Sequence, residues 1–187
     1  MKAYLLAACA LFPAVAVDAA EPSPYAGIPG IRFEYYEIEG ATPQQIDASM
    51  RARSPMRRNG SEGLGRTTWQ MDVTWRESTR GDTCRVSAPK TRMSITVLLP
   101  RLITRELTRD GLAYWRAVRR GLDVHEAGHA RIAWDHREDF NRASLGASCK
   151  TIKKLARDSQ ARIAALQAAY DRETAHGRLQ TPKWEYE

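Results

Sequence analysis

The first half of the chain contains two stretches in which apolar and polar residues alternate, as they do in a strand with one buried face. In "TWQMDVTW" (68–75) every second residue from Trp69 onward is apolar, and "MSITVLL" (93–99) repeats this alternation from Met93. The stretch "IRFEYYEI" (31–38) is rich in β-branched and aromatic residues, which favour strands. These patterns predict three strands in the first half of the chain.

The segments between these strands carry helix and turn signals. In "ATPQQIDASMR", Thr42 precedes Pro43 and is followed three residues later by Gln45, which is the pattern of a capping box at the start of a short helix. The stretch "RSPMRRNGSEGLG" (53–65) has the composition of a loop. The "RGD" at 80–82 is predicted to be a plain turn between two strands.

Beyond Pro100, which is expected to end the strand-forming half, the pattern becomes helical. Apolar residues and histidines now recur at spacings of three and four, as on one face of a helix: Trp115, Val118, Leu122, His125, His129, Ile132 and His136. A last helix is predicted over about 148–175, with Gly177 well placed to stop it. Strands followed by helices indicate an α+β domain, with a small antiparallel β-sheet in the N-terminal half packed on a long helix and a C-terminal helix.

The N-terminus has the layout of a secretory signal peptide. Lys2 precedes the apolar run "AYLLAACALFPAVAV", and small residues follow before "EPSP", so we assign residues 1–19 to a cleaved signal peptide. Residues 20–30 are predicted to form an exposed Pro/Gly-rich arm, and residues 31–187 a single domain. The apolar run is too short for a convincing membrane span. We therefore expect a secreted or periplasmic protein with no membrane span after signal cleavage.

The cysteine content fits an exported protein. Signal cleavage would remove Cys9 and leave Cys84 and Cys149. Two cysteines in an oxidising compartment most simply pair, so a disulfide bond is predicted between them. Two free buried thiols are the alternative, and a thiolate zinc site is disfavoured because neither cysteine belongs to a C-x-x-C pair.

The net charge of +7 bears on the partners of the protein. Basic patches can bind nucleic acid, but an exported protein rarely meets it, so we expect no nucleic-acid partner. Anionic polymers of the cell envelope, or acidic substrates, are more natural partners. The charge is equally compatible with a role in solubility alone.

The stretch "LDVHEAGHARI" (122–132) carries the candidate chemistry. His125 and His129 are one helical turn apart, so both imidazoles leave the same helix face and can reach one zinc ion. Glu126 is displaced around the helix, where it can act as the general base that takes a proton from a zinc-activated water. Both histidines lie on the apolar face and the chain has only four histidines, which favours a metal site over two core histidines beside a surface glutamate.

A catalytic zinc ion needs a third protein ligand and one open position. Asp135 and His136 are excluded because a straight helix carries them roughly 9–10 Å beyond the second histidine of the motif. The remaining histidine, His176, lies just before a glycine at the end of the last helix and is the leading third ligand. Asp171 and Glu173 are the alternatives.

Other residues of the same block are candidates for supporting roles. Asp171 and Thr174 are three residues apart on one helix face and are alternatively groups that orient the histidines. Tyr170 is a candidate hydrogen-bond donor to a developing oxyanion, with an ordinary packed tyrosine as the alternative.

Taken together, these residues resemble a bacterial family described as secreted zinc-dependent proteases and long catalogued as a domain of unknown function. The resemblance rests on "YYEIEGATPQQI", "TTWQMDVTW", the two cysteines, "HEAGHARIA" and "YDRETAHG", in family order from about 33 to 180. It implies that His125, Glu126 and His129 form the core of a zinc site within a zincin-like metallohydrolase domain. It also implies that a second set belongs to the same site: Asp171, Thr174, His176 and Gly177.

The leading functional hypothesis is a secreted or periplasmic zinc metallopeptidase that hydrolyses peptide bonds in a peptide or protein substrate. The peptide would bind in extended form, for example along an edge strand at 93–99. Two alternatives remain open. One is a non-proteolytic zinc hydrolase of envelope amides or esters, and the other is a non-catalytic binding module of the cell envelope.

Overall fold

The computed structural model describes residues 22–58, 63–181 and 183. The signal peptide assigned to residues 1–19 lies outside these residues. The elements in chain order are β1 (Arg32–Ile38), α1 (Pro43–Arg53), α2 (Pro55–Arg58), β2 (Arg66–Arg80), β3 (Thr83–Leu102), α3 (Arg109–Asp135), α4 (Asp139–Ser144) and α5 (Ile152–Glu173). This is the α+β arrangement that the sequence predicts.

The three strands form one sheet in the order β1-β3-β2. Strands β2 and β3 pair antiparallel and are joined by the two-residue turn Gly81–Asp82, as the "RGD" prediction requires. Strand β1 instead runs parallel to β3, so the sheet is mixed rather than purely antiparallel. The reason is the crossover through α1 and β2, since a parallel pair needs a long connection between its strands.

The position of β3 corrects two sequence-based expectations. Residues 96–98 pair with β1 on one side and β2 on the other, so a peptide cannot add a strand along the whole of 93–99; the edge strands are β1 and β2. Pro100 does not end the strand, which continues to Leu102. The proline is tolerated because the pairing with β2 stops at Leu98, and beyond it only β1 flanks β3.

Helix α1 begins as its capping box predicts. The Thr42 hydroxyl accepts a hydrogen bond from the backbone N–H of Gln45, whose side chain in turn accepts from the backbone N–H of Thr42. Helix α3 begins at the N-cap Thr108 and is continuous over 27 residues. A continuous helix keeps residues 125 and 129 on one face, which positions the site described below.

Two apolar clusters hold the helices against the sheet. The larger lies between the sheet and helices α3 to α5, and its most deeply buried members include Val97, Leu99, Ala130, Phe140 and Ile163. The smaller fixes α1 on the first half of α3 through Ile38, Ile46, Met50, Tyr114 and Val118. Fully burying one large apolar side chain contributes about 1.5–3 kcal/mol, so these contacts hold α3 firmly in place.

The disulfide bond between Cys84 and Cys149 joins the start of β3 to the turn before α5, with 5.6 Å between the two Cα atoms. Backbone hydrogen bonds between Val86 and the segment 146–147 continue this attachment. The short helix α4 lies just before that segment and was not predicted, because six residues are too few to show a helical period.

The segment before β1 is tied to the domain at two side chains. Most of residues 22–30 are exposed, but Ile28 is buried and Tyr25 packs edge-on against Phe33 with 5.0 Å between the ring centroids. No helix of the described residues is both long enough and apolar enough to cross a membrane.

Candidate metal centre

Helices α3 and α5 bring three potential metal ligands together. His125 Nε2 and His129 Nε2 lie 3.2 Å apart, and both face Oδ1 of Asp171 in the last turn of α5, at 3.4 Å and 3.1 Å. Both histidine side chains are largely buried, whereas Asp171 is partly exposed. Among the described residues this is one of two groups close enough to hold an ion; the other contains the disulfide-bonded cysteines.

The imidazole of His129 is oriented by Gln167, one helical turn before Asp171 on α5. The amide nitrogen of Gln167 donates to the backbone carbonyl of His129 at 2.9 Å. A carbonyl can only accept, so the other end of the amide, Oε1, is the atom that meets Nδ1 of His129. Nδ1 must therefore be the protonated nitrogen, which leaves a lone pair on Nε2.

The same reasoning fixes the tautomer of His125. Its Nδ1 lies 3.0 Å from Oε1 of Gln180 and 3.4 Å from the hydroxyl oxygen of Thr174. The Thr174 hydroxyl donates its single proton to the backbone carbonyl of Tyr170 at 2.8 Å, so towards His125 it can only accept. Nδ1 of His125 consequently donates, and its Nε2 also presents a lone pair.

This arrangement could hold a metal ion. Two imidazole lone pairs and a carboxylate oxygen converge within hydrogen-bonding distance with no proton between the two nitrogens, an arrangement that a bound cation would stabilise. Burial and the neighbouring His129 lower the pKa of the His125 imidazole, which keeps it neutral and able to bind a metal. Two nitrogens and one oxygen with a remaining open position suit zinc.

Glu126 lies beside this cluster in a buried position, with 3% of its surface exposed. Its Oε2 accepts a hydrogen bond of 2.7 Å from the Thr67 hydroxyl on β2. Gly65 makes room for the carboxylate, since a Cβ atom there would lie 2.7 Å from Oε1. Burial raises the pKa of the Glu126 carboxyl to about 7, although the Thr67 hydrogen bond opposes that rise. The group is therefore suited to accept a proton near neutral pH.

Tyr170 packs between α5 and the two histidines. Its ring stacks on His125 at 5.4 Å and meets the edge of His129 at 5.0 Å. Gly128 permits this approach, because a Cβ atom there would lie 2.1 Å from the tyrosine oxygen. That hydroxyl accepts from Gln180 on the Nδ1 side of His125, away from the converging lone pairs, and Tyr170 is not among the residues that line the cleft. The oxyanion role considered for Tyr170 finds no support in this geometry.

The remaining candidates lie at the margin of the cluster. His176 has its Nδ1 3.7 Å from Oδ1 of Asp171, but its side chain is 74% exposed. Glu173 is exposed and lies outside the group of converging atoms. The structure thus brings Asp171 together with His125 and His129, and places His176 beside them at the surface.

The converging atoms open into a cleft of about 1000 Å³. Its walls come from α1, from the segment leading into β2 and the start of that strand, from α3, and from α5 with the residues after it, and they include Glu126, Asp171 and His176. This volume lies at the upper end of the range of roughly 300–1,000 Å³ that is typical of ligand-binding clefts.

Sequence reasoning missed three polar residues that orient the site: Thr67, Gln167 and Gln180. Only Gln167 gave a signal, since it lies four residues before Asp171 and so on the same face of α5. Thr67 comes from a remote part of the chain, and Gln180 lies just beyond Gly177 in a segment with no helical or strand period, so both contacts depend on the tertiary fold.

Comparison with known proteins gives a family and no activity. The profile of a family described as bacterial protein of unknown function (DUF922) matches residues 33–177, which is most of the chain. This chain belongs to that family. No curated protein and no solved structure matches it. The matched segment contains the histidines, Glu126 and Asp171, whereas Gln180 lies beyond it.

Proposed function

We propose that this protein is a secreted or periplasmic zinc-dependent metallopeptidase. The observation that supports it most strongly is the convergence of the Nε2 lone pairs of His125 and His129 on Oδ1 of Asp171, beside the buried carboxylate of Glu126. Two core histidines with no metal-binding role would not be expected to adopt this arrangement, because burying unpaired hydrogen-bond acceptors costs free energy.

In this proposal, zinc is held by His125, His129 and Asp171. Zinc, when bound, supplies a Lewis acid and lowers the pKa of a coordinated water to about 7. Glu126, whose Oε2 accepts from Thr67, would take a proton from the water that attacks the peptide carbonyl and would give it to the amine as the C–N bond breaks. His176 at the cleft surface is placed to contact substrate, and remains the alternative third ligand.

The cleft favours a peptide over a small metabolite. Its volume of about 1000 Å³ and its several walls provide room for residues on both sides of a reacting bond. The start of β2, which carries Arg66 and Thr67, lines the cleft and belongs to an edge strand. An extended peptide can therefore use this edge, in place of the central position at 93–99.

The proposed location rests on the N-terminal sequence and on the disulfide bond. A covalent bond between Cys84 and Cys149 persists in oxidising compartments such as the periplasm or the extracellular space. The run of apolar residues after Lys2 supplies the export signal.

The test is a comparison of wild type with Glu126→Gln on a mixed peptide library, with products identified by mass spectrometry. The variant keeps the size of the side chain and its contact with Thr67, so zinc content and thermal stability are the matched controls. We expect wild type to cleave peptides and the variant to lose about 10²–10⁴-fold in rate with its zinc retained. Equal cleavage by both proteins would contradict the proposal. Zinc binding with no cleavage by wild type would instead favour the binding-module alternative.

A further inference from the structure

The segment after α5, residues 174–181, folds back over α3 and is called the strap here. Its turn contains three consecutive residues with left-handed backbone conformations: Ala175 at φ 50°, His176 at φ 55° and Gly177 at φ 80°. Two of the three are not glycine, and such residues adopt this conformation only at an energetic cost. Backbone hydrogen bonds from His176 to Asp171 (2.7 Å) and from Leu179 to Thr174 (3.1 Å) keep the turn closed.

Two glycines let the strap lie directly on α3. A Cβ atom at Gly177 would come within 3.0 Å of the His125 ring. A Cβ atom at Gly121, on α3, would come within 2.3 Å of the Thr181 hydroxyl and 2.9 Å of its Cα atom. The strap therefore contacts α3 closely at two places. Gly177 of the strap lies against the ring of His125, and Thr181 of the strap lies against Gly121.

The strained turn and the close contacts with α3 place the side chain of Gln180 between His125 and Tyr170. Gln180 accepts from Nδ1 of His125 at 3.0 Å and donates to the Tyr170 hydroxyl at 2.8 Å. Its amide therefore links the imidazole to the aromatic ring that stacks on it. The exposed neighbour Leu179, by contrast, buries little of its side chain.

We propose that Gln180 is a positioning residue that holds His125 in the Nδ1–H tautomer, and that the strap determines the metal affinity of the site from outside the ligand set. The second part of this inference rests on the proposed zinc site. The first part concerns the metal-free protein and stands without it. The strained turn would then serve to place the side chain of Gln180 beside Nδ1 of His125.

The first experiment reads the tautomer directly in metal-free protein, by long-range ¹H–¹⁵N NMR of the histidine rings. Wild type is expected to show Nδ1–H for both His125 and His129. Gln180→Met, which keeps the side-chain length and removes the acceptor, should shift His125 towards the Nε2–H form and leave His129 unchanged. Gln180→Glu keeps an acceptor and should restore the wild-type tautomer. A His125 spectrum unchanged in Gln180→Met would overturn the proposal.

The second experiment measures zinc affinity in the same proteins by competition with a chelator. Loss of an outer hydrogen-bond partner lowers metal affinity by about 10–100-fold, which is the decrease expected for Gln180→Met. Gln180→Glu should recover most of the affinity. Leu179→Ala, an exposed position on the same strap, is the matched control and should bind zinc like wild type. If Gln180→Met does not fold, Gln180→Ala removes the same acceptor without placing a long apolar side chain against His125.

The two experiments separate the possible failures. If wild type binds no zinc, the proposed function fails, while the tautomer spectra still decide the role of Gln180. If wild type binds zinc and Gln180→Met binds it equally well, the proposed function survives and the inference about the strap is wrong.

Discussion

The two histidines of the candidate site leave one face of α3 but are held by two different parts of the chain. His129 is held by α5, where Gln167 contacts both its ring and its own backbone carbonyl. His125 is held by the strap, through Gln180 on an irregular segment beyond the last helix. In both cases a glutamine side-chain amide accepts from Nδ1 of the imidazole, but one glutamine lies on a helix and the other on an irregular segment.

This difference indicates which half of the site is more easily displaced by local unfolding. Helix α5 is anchored in the main core through Ile152 and Ile163, so its contact with His129 persists as long as the domain is folded. The strap has no buried large side chain among its residues and is held by hydrogen bonds and close backbone contacts. Segments of this kind open locally at lower free energy than a core helix. The half of the site at His125 should therefore be the half that responds to changes remote from the metal.

The largest effect is expected from the third ligand, which either α5 or the strap provides. Asp171→Ala removes the carboxylate on α5 that faces both imidazoles at 3.1–3.4 Å. Zinc affinity should fall by more than the roughly 100-fold upper range of an outer-partner loss. His176→Ala changes an exposed strap residue and should leave one zinc per chain. Zinc per chain is measured by elemental analysis after dialysis.

The reverse result would reassign the ligand. If His176→Ala loses its zinc and Asp171→Ala keeps it, the strap provides the third ligand, and Asp171 orients the imidazoles instead. Thermal unfolding of both metal-free variants controls for loss of the fold.

The next prediction concerns two glycines of α3. Gly128 allows Tyr170 of α5 to approach the helix, and Gly121 allows Thr181 of the strap to approach it. Gly128→Ala places a methyl group 2.1 Å from the Tyr170 oxygen, and Gly121→Ala places one 2.3 Å from the Thr181 hydroxyl. We expect Gly128→Ala to destabilise the protein by about 1–3 kcal/mol, because overpacking outweighs the gain in helix propensity. Gly121→Ala should displace the strap, lowering zinc affinity while changing stability less. Denaturant unfolding and zinc titration of both variants measure these effects, and equal losses of stability would show that the strap is as firmly anchored as α5.

Sequence reasoning placed the two histidines on one helix face and missed the residues that orient them, for a physical reason. The spacing of His125 and His129 is fixed by helix geometry, so the pattern suffices to place both imidazoles on one face. Asp171 and His176 are only five residues apart, and which of them faces the two histidines depends on a turn of left-handed residues that no periodicity reveals. The parallel pairing of β1 likewise depends on how the chain crosses the sheet. Gly128 did give a usable signal, since a glycine inside a helix indicates close approach by another group.

An effect of similar size concerns Glu126, which belongs neither to α5 nor to the strap. Burial raises the pKa of its carboxyl from 4.5 to about 7. The contribution of this group to the stability of metal-free protein is thus complete below pH 4.5 and is lost as the pH rises through 7, by up to about 3 kcal/mol. Glu126→Gln has no such loss, so its advantage in unfolding free energy should grow from pH 5 to pH 8. Denaturant unfolding at several pH values checks this, and a constant difference would contradict the raised pKa.

The smallest effect on metal binding is expected from the disulfide bond. Replacing both Cys84 and Cys149 by serine opens a 65-residue loop, which costs about 4 kcal/mol of stability in the chain-entropy model. Neither cysteine lines the cleft, so zinc affinity should not change at temperatures where the variant is folded. A large loss of affinity would mean that the bond at the start of α5 controls the geometry at its end.

The most direct test of the account is a calorimetric titration of metal-free wild-type protein with zinc, alongside His125→Ala. The converging lone pairs of two imidazoles and one carboxylate predict one zinc per chain in wild type and no comparable binding in the variant. Wild-type protein that takes up no zinc, or a His125→Ala variant that binds it equally well, would contradict the central claim.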